Sequence, residues 1–517
     1  MYYFIPSWYS PELPFHDAAE AWYWKKNTGF DDTVNQMRMF RHADEDLELI
    51  LLGYHPMLRH DLHHQGLMGV KIFSVFDVLQ GVDTQEPGIL HYYDLEWPEQ
   101  VEWVHTPFLI SAFVHDELYA NVDFQEDSYL LWITYFRDQK QYMRNIYDDR
   151  GFLSSSIFYD VSGNPSRQEY YSPEGELRFV QELPDGPVTI ENQGGEYPLK
   201  PRYARMEALV QDVLTKKLAG GSREDVVAIA ADGRHDALVR RCLGGQRLVL
   251  SFFGNRYDIG KSEGLKEDVR AAALTVTDTV GIRDEIRSIT GAGKRVVDIS
   301  PFDTRLSLGK SMRVRELKVF FPMDHFEDFL FQRAIGLLYQ FMEEHPSVWL
   351  IVGTDQNESA QHEMRMKLQA RAVEMGFPKL LVDGADAPDL EDDCIEGMVR
   401  KKRKPRIFVT PYHNEADIAR ILYDTRLIID IRDNPDQYIQ IAGISAGIPQ
   451  VNYRNTRYIE HKKNGYMISN IAQLSDALEY YLVGLQHWNE ALVYMVQTIE
   501  AYDSGSLVKQ WKELIGA

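Results

Sequence analysis

Three short patterns in this chain have the residue types and spacing that chemistry uses. Gly443-Ile444-Ser445-Ala446-Gly447 matches G-x-S-x-G, in which a strained turn between a strand and a helix presents a serine hydroxyl as a nucleophile. Pro449 and the β-like stretch Gln450 to Tyr453 follow where that elbow requires a helix, so the segment reads as helix and hydrolysis loses its local support. His60 and His64 lie four apart in Arg59-His60-Asp61-Leu62-His63-His64, which brings two imidazoles to one helical face, a spacing that can bind a metal. A third ligand is not evident, so these are expected to be solvated histidines on an exposed helix, and no metal is expected. Asp44-Glu45-Asp46 has D-x-D spacing but precedes a strand where metal-binding motifs of that kind follow one. There is no Walker loop and no G-x-G-x-x-G, so ATP and NAD chemistry have no local support and no cofactor is expected.

Two clusters point to binding. Trp8, Tyr9, Phe15, Trp22, Tyr23 and Trp24 all precede the first glycine, Gly29. Aromatic faces suit pyranose rings, whose axial C–H edges are apolar and weakly positive. Trp8, Tyr9, Trp22 and Trp24, with Arg454 and Arg457 from a later loop, are therefore candidate glycan-binding residues; packing of Trp22 and Trp24 in a helix or core is the competing expectation. Arg400, Lys401, Lys402, Arg403 and Lys404 form an unbroken basic run after the acidic stretch Asp386 to Glu396. Such a pairing is first of all a solvated loop or helix end, and second a candidate contact with an anionic membrane surface.

The elements that must position these residues follow from composition and rhythm. The 517 residues carry 55 basic and 78 acidic side chains, a net charge of −23, which opposes binding to a phosphate polymer, so no nucleic-acid partner is expected. With 44% apolar and 26% charged residues the chain is an ordinary folded protein of two or three domains. No stretch has the roughly 18 uninterrupted apolar residues of a membrane span, and no basic residue precedes Lys25, so neither an anchor nor a secretory signal is expected. Cys242 and Cys394, the two cysteines, have no zinc-like or disulfide-frame spacing, in keeping with a reducing cytoplasm.

Strands and helices alternate from Tyr2 to about residue 85, pointing to the start of a parallel α/β layer, with Lys71 to Val78 as one apolar run. From about 86 to 198 the segments are β-like. Within them Tyr147-Asp148-Asp149-Arg150-Gly151, Tyr159-Asp160-Val161-Ser162-Gly163 and Tyr171-Ser172-Pro173-Glu174-Gly175 recur every 12 residues. That period fits a strand of about seven and a turn of about five, with glycine taking the positive φ of a tight hairpin. An exposed edge of such a meander is a docking strip, so Tyr147, Tyr159 and Tyr171 are candidate partner-binding residues. The α/β rhythm returns after about 200, and a second set begins near Glu316, including a strand over Lys379 to Val382. The fold class expected is α/β: two Rossmann-like domains facing a cleft, with an antiparallel β-meander inserted in the first. The boundaries read as 1–85 and 199–305 for the first domain, 86–198 for the insertion, 306–490 for the second domain, and 491–517 for a helical end that packs back on the first domain.

Asn414 to Tyr423, Leu427 to Ile431, Ile441 to Val451 with Gly447 and Pro449, and Asn464-Gly465-Tyr466 are similar to the second half of retaining, nucleotide-sugar-using GT-B glycosyltransferases. Pro301-Phe302-Asp303 resembles the turn that joins their halves. The resemblance implies two glutamates eight apart that hold the donor sugar, and Asn434 and Ala442 stand at the matching positions. It also implies an Arg and a Lys that neutralise the diphosphate, whereas Val319 to Gln332 has neither and carries Asp324, Glu327 and Asp328. The fold without its transfer reaction is therefore expected. With the opening Met1-Tyr2-Tyr3-Phe4-Ile5-Pro6-Ser7-Trp8-Tyr9 and the inserted sheet, the chain resembles an accessory secretory protein family of the accessory Sec system. That likeness implies a non-catalytic, cytoplasmic export factor, peripheral to the membrane. It would act with two companion accessory secretory proteins and the accessory SecA motor ATPase, and recognise GlcNAc-containing glycans on a serine-rich repeat glycoprotein adhesin. The competing expectations are an active nucleotide-sugar-dependent glycosyltransferase, and a scaffold whose repeat sheet alone does the binding.

Overall fold

The computed structural model describes the chain except residues 11–14, 17–30, 85, 193–196, 261–263, 294, 306, 324–328, 387–403, 434, 455 and 517. The described residues form two compact units: those up to Pro301 together with those from Val508 onward, and Phe302–Leu507.

In the first unit β1 (Tyr2–Ile5), β2 (Leu47–Leu51) and β3 (Lys71–Ser74) run parallel. The apolar run from Lys71 is not one strand. Ser74 ends β3 and caps the helix Val75–Gln80, its hydroxyl accepting from the Asp77 amide at 3.2 Å, so capping chemistry overrides the hydrophobic pattern. The chain then leaves the layer for ten antiparallel strands: β4 (Val101–His105), β5 (Ile110–Val114), β6 (Glu117–Phe124), β7 (Leu130–Arg137), β8 (Lys140–Tyr147), β9 (Leu153–Tyr159), β10 (Pro165–Tyr171), β11 (Leu177–Glu182), β12 (Val188–Ile190) and β13 (Arg202–Tyr203). It returns as β14 (Val226–Ala230), β15 (Arg247–Phe252), β16 (Leu274–Thr277) and β17 (Val296–Asp298). The parallel sheet has the order β17-β16-β15-β14-β1-β2-β3, so its topological switch lies between β1 and β14, paired Tyr2↔Val226. Helices cover both faces, which is why all five residues of β14 are apolar and buried.

The 12-residue repeat folds as three equivalent hairpin turns. Gly151, Gly163 and Gly175 have φ of 85°, 84° and 85°. In each turn the glycine amide bonds back three residues, Gly151 to Asp148, Gly163 to Asp160 and Gly175 to Ser172, at 2.9, 3.0 and 2.9 Å. β9 and β10 between them are seven residues each, and the sheet is a meander in sequence order.

The second unit holds β18 (Leu317–Pro322), β19 (Val348–Thr354), β20 (Ile407–Pro411), β21 (Thr425–Asp430), β22 (Gln450–Asn452) and β23 (Gly465–Met467), all parallel, in the order β20-β19-β18-β21-β22-β23. Numbered within the unit this is 3-2-1-4-5-6, with its switch between β18 and β21. Lys379 to Val382 is not a strand: Val382 makes one isolated bridge to Ile407. Leu381 and Asp383 bond the backbone at Ile407, and the Gln369 side chain satisfies the alternate groups, donating to the Leu380 carbonyl at 3.2 Å and accepting from the Val382 amide at 2.9 Å. The last helix, Ser504–Gly516, carries Trp511, 1% exposed, edge-on to Phe40 at 5.4 Å within the first unit.

Candidate functional site

Open α/β sheets bind ligands beyond the carboxyl ends of their switch strands, and charged residues gather there in both units. In the first unit Ser7, Trp8 and Tyr9 follow β1, and Asp232, Arg234 and His235 follow β14. Arg234 grips Asp232 through Nη2 at 2.6 Å and Nε at 3.0 Å, its amide adds a bond of 2.9 Å, and the Ser7 hydroxyl donates to the same carboxylate. Burial alone would raise Asp232, but the bonds from Arg234 and Ser7 outweigh it and hold the carboxyl at about 2. His235 is completely buried, which lowers it to about 4 and keeps it neutral. Its Nε2 must donate to the Ala230 carbonyl at 2.9 Å, so Nδ1 accepts from the Tyr9 hydroxyl at 2.9 Å. Arg256 faces Asp32 in the same way, at 2.6 and 3.0 Å. Both of these guanidinium groups face a buried carboxylate.

The aromatic candidates separate here. Tyr9 is 7% exposed, with Phe15 and His235 edge-on at 5.4 and 5.6 Å, Arg234 over its ring at 5.1 Å, and Gly53 so close that a Cβ there would lie 3.1 Å from it. It belongs to the interior, where it orients His235, rather than to a sugar platform. Trp8 is partly exposed, and its indole N–H donates to Asp31 at 3.0 Å. Trp22 and Trp24 lie outside the described residues.

The second unit repeats the arrangement. Asp430, fully buried at the end of β21, receives Arg432 at 2.9 and 2.7 Å and the Asp436 amide at 3.0 Å. Asp232-x-Arg234 and Asp430-x-Arg432 thus stand at the carboxyl end of the fourth strand of the Rossmann order in each layer, Asp232 two residues past β14 and Asp430 the last residue of β21. The sequence reading missed this pair; its signal is an Asp-x-Arg directly after an apolar strand, seen twice. Asp436 caps the helix Gln437–Ala446, accepting from the Ile439 amide at 2.9 Å. On that helix Ala442 packs its methyl against an apolar cluster that includes Phe320, Ile428 and Ile439. Asn434 lies outside the described residues, as do Asp324, Glu327 and Asp328. Arg454, 54% exposed at its side chain, follows β22 and pairs with Asp433 at 2.9 Å. Arg457 lies 5.6 Å from the Tyr458 ring and 6.0 Å from that of Tyr502. Ser445 is inside the helix and its hydroxyl accepts from the Arg305 amide at 3.1 Å, so the G-x-S-x-G segment is no nucleophile elbow.

Of the repeat tyrosines, Tyr147 is 3% exposed in the meander's core and belongs to the interior rather than to a docking strip, because its strand face turns inward. Tyr159 and Tyr171 are partly exposed, and Tyr171 donates to Glu169 at 2.8 Å. Of the basic run only Lys404 is described, and it is exposed; Arg400, Lys401, Lys402 and Arg403 lie outside the described residues. Among the described residues no helix is long and apolar enough to cross a membrane. The solvated-histidine expectation is corrected at His60, which is 4% exposed in the helix Leu58–His64, while His64 is exposed. The first repeat turn covers that helix: Asp149 accepts from the Arg59 and His60 amides at 2.6 and 3.0 Å.

Comparison with known proteins agrees with this architecture. A family model described as accessory Sec system protein, accessory secretory protein 1, matches residues 1–517. A curated relative of that description from Streptococcus gordonii is 32% identical over 527 residues, which cover 99% of this chain and 98% of the relative. The crystal structure of accessory secretory proteins 1, 2 and 3 in Streptococcus pneumoniae contains a chain 28% identical, with a TM-score of 0.83 over 100% of this chain and 99% of that one. The pneumococcal O-GlcNAc transferase GtfA in complex with UDP and GlcNAc superposes with a TM-score of 0.70 at 11% identity, over 100% of this chain and 98% of that one. The fold is therefore that of the GT-B glycosyltransferases, with the antiparallel meander described above.

Proposed function

The chain belongs to the accessory Sec system family of accessory secretory protein 1, and on that premise we propose that it is a non-catalytic part of an accessory Sec export machinery. It binds GlcNAc-containing glycans of a serine-rich repeat adhesin and helps deliver that glycoprotein to the accessory translocase. It works in the cytoplasm at the inner face of the plasma membrane with two companion accessory secretory proteins and the accessory SecA motor ATPase.

The observation that carries the reading is Ala442. At the position that the resemblance to GT-B enzymes matches to a carboxylate, a methyl group packs into an apolar cluster and can neither accept a hydrogen bond nor hold charge. A second observation supports it: Arg234, Arg256 and Arg432 each face a carboxylate, a setting that suits a neutral sugar better than a diphosphate. Binding without turnover needs complementarity only to the ground state, and an adhesin bearing many copies of the glycan supplies avidity to a weak site. Trp8 in the first unit and, separately, Arg454 and Arg457 in the second are the glycan contacts of this proposal, and Tyr159 and Tyr171 face a partner protein. Lys404 and its basic neighbours meet anionic lipid.

The test is direct. The full chain, alone and with its two companions, is incubated with UDP-GlcNAc and an adhesin serine-rich peptide, and separately with the O-GlcNAc-bearing peptide. Glycopeptide binding that weakens in Trp8→Ala, with no transfer product by mass spectrometry, is expected. Product formed by the purified chain, or affinity untouched by Trp8→Ala and Arg454→Ala together, overturns it.

A further inference from the structure

His60 and His64 come from one turn of the helix Leu58–His64, and the fold brings to them Asp127, from the turn between β6 and β7. Asp127 Oδ2 lies 2.9 Å from His64 Nε2 and 3.6 Å from His60 Nε2, and one donor atom from each of the three residues falls within 4.8 Å of the others. Ligands about 2.0–2.1 Å from a tetrahedral ion stand about 3.3 Å apart, which these separations bracket.

His60 is the informative member. Its side chain is 1% exposed, yet neither ring nitrogen makes a hydrogen bond. Leaving such a group unpaired costs about 1–3 kcal/mol, so a buried imidazole ordinarily has a partner. Its Nδ1 is 3.5 Å from Asp61 Oδ1, the side on which a metal-bound imidazole meets a carboxylate, and its Nε2 points at Asp127. The Tyr129 ring stands edge-on to His60 at 5.4 Å and limits its rotation.

We propose that His60, His64 and Asp127 form a divalent transition-metal site, with Zn²⁺ as the fitting ion. Two imidazoles and one carboxylate suit zinc, whereas Mg²⁺ and Ca²⁺ take oxygen ligands. All three side chains line a cavity of about 1370 Å³, together with Tyr92, Phe108 and Tyr129 among others, so the fourth coordination position opens into that cavity. The ion ties the α/β layer to the ten-stranded sheet across residues 63 apart in sequence.

The full-length chain is stripped with a chelator, titrated with Zn²⁺ by calorimetry, and its metal content measured after desalting. One Zn²⁺ per chain is expected, with a rise in thermal midpoint on binding. His64→Ala and Asp127→Asn each lower the affinity at least about tenfold and abolish the rise, and His63→Ala, on the exposed face of the same helix, changes neither. Asn tolerates the positive φ of 61° at residue 127, and His64 is exposed, so both variants keep the fold. No retained Zn²⁺, or retention with unchanged affinity in both variants, leaves only a histidine–carboxylate ion pair and overturns the proposal.

Discussion

Asp149 accepts hydrogen bonds from two amides of a helix 90 and 89 positions earlier in the chain, while Asp148 beside it is clamped by Arg150 at 2.6 and 2.7 Å. Burial, and then repulsion from Asp148, push Asp149 up to about 7. An unfolded aspartate titrates near about 3.9. Between those values the folded state holds a proton that the unfolded state has lost, so this group's contribution to stability is fully present below about pH 4 and is lost as pH rises to about 7. Asp149→Asn keeps an acceptor for both amides and cannot ionise. Its unfolding free energy is expected to lose that decline, on the order of a few kcal/mol, in denaturant titrations at pH 4.5 and 7.5. None of this was legible in the local sequence, where Asp148-Asp149 looked like ordinary turn residues.

Elements show how far local chemistry reaches. The three five-residue turns were readable because a positive-φ glycine at a fixed offset is a local requirement. Their neighbourhoods were not. Gly163 and Gly175 have open space where a Cβ would go, whereas Gly151 lies against the backbone of Gly88, with its Cβ position 3.2 Å from the Gly88 carbonyl oxygen. Gly163→Ala and Gly175→Ala are expected to cost about 1–2 kcal/mol each, the penalty of the left-handed region alone. Gly151→Ala costs more because it also parts the turn from residue 88, and thermal melts of the three variants rank them. At Ser74 and at Lys379 to Val382 the elements are shorter than the hydrophobic pattern suggests, and in both a side chain, the Ser74 hydroxyl or the Gln369 amide, bonds backbone groups at the boundary.

Taken whole, the chain passes from the first unit to the second and ends in the first, where Trp511 meets Phe40 and Lys512 reaches Glu45 at 2.7 Å. The exposed ion pair stabilises this closure only slightly, and burial of the indole stabilises it far more. Trp511→Ala is expected to cost about 3–5 kcal/mol, read as a lower midpoint in chemical denaturation followed by a probe in the first unit, while Lys512→Ala stays within about 1 kcal/mol.

The α/β rhythm and the repeat of hairpins were written in the order of the residues, because hydrophobic period and turn chemistry are properties of neighbours along the chain. It took the folded molecule to turn Tyr9 and Tyr147 inward, to set two Asp-x-Arg pairs at the ends of the corresponding strands, and to bring Asp127 to His60 and His64. Those facts depend on which face of a strand turns to the core and which distant turn lies over a helix. Such relations are set by the packing of layers against each other, and no local pattern encodes them.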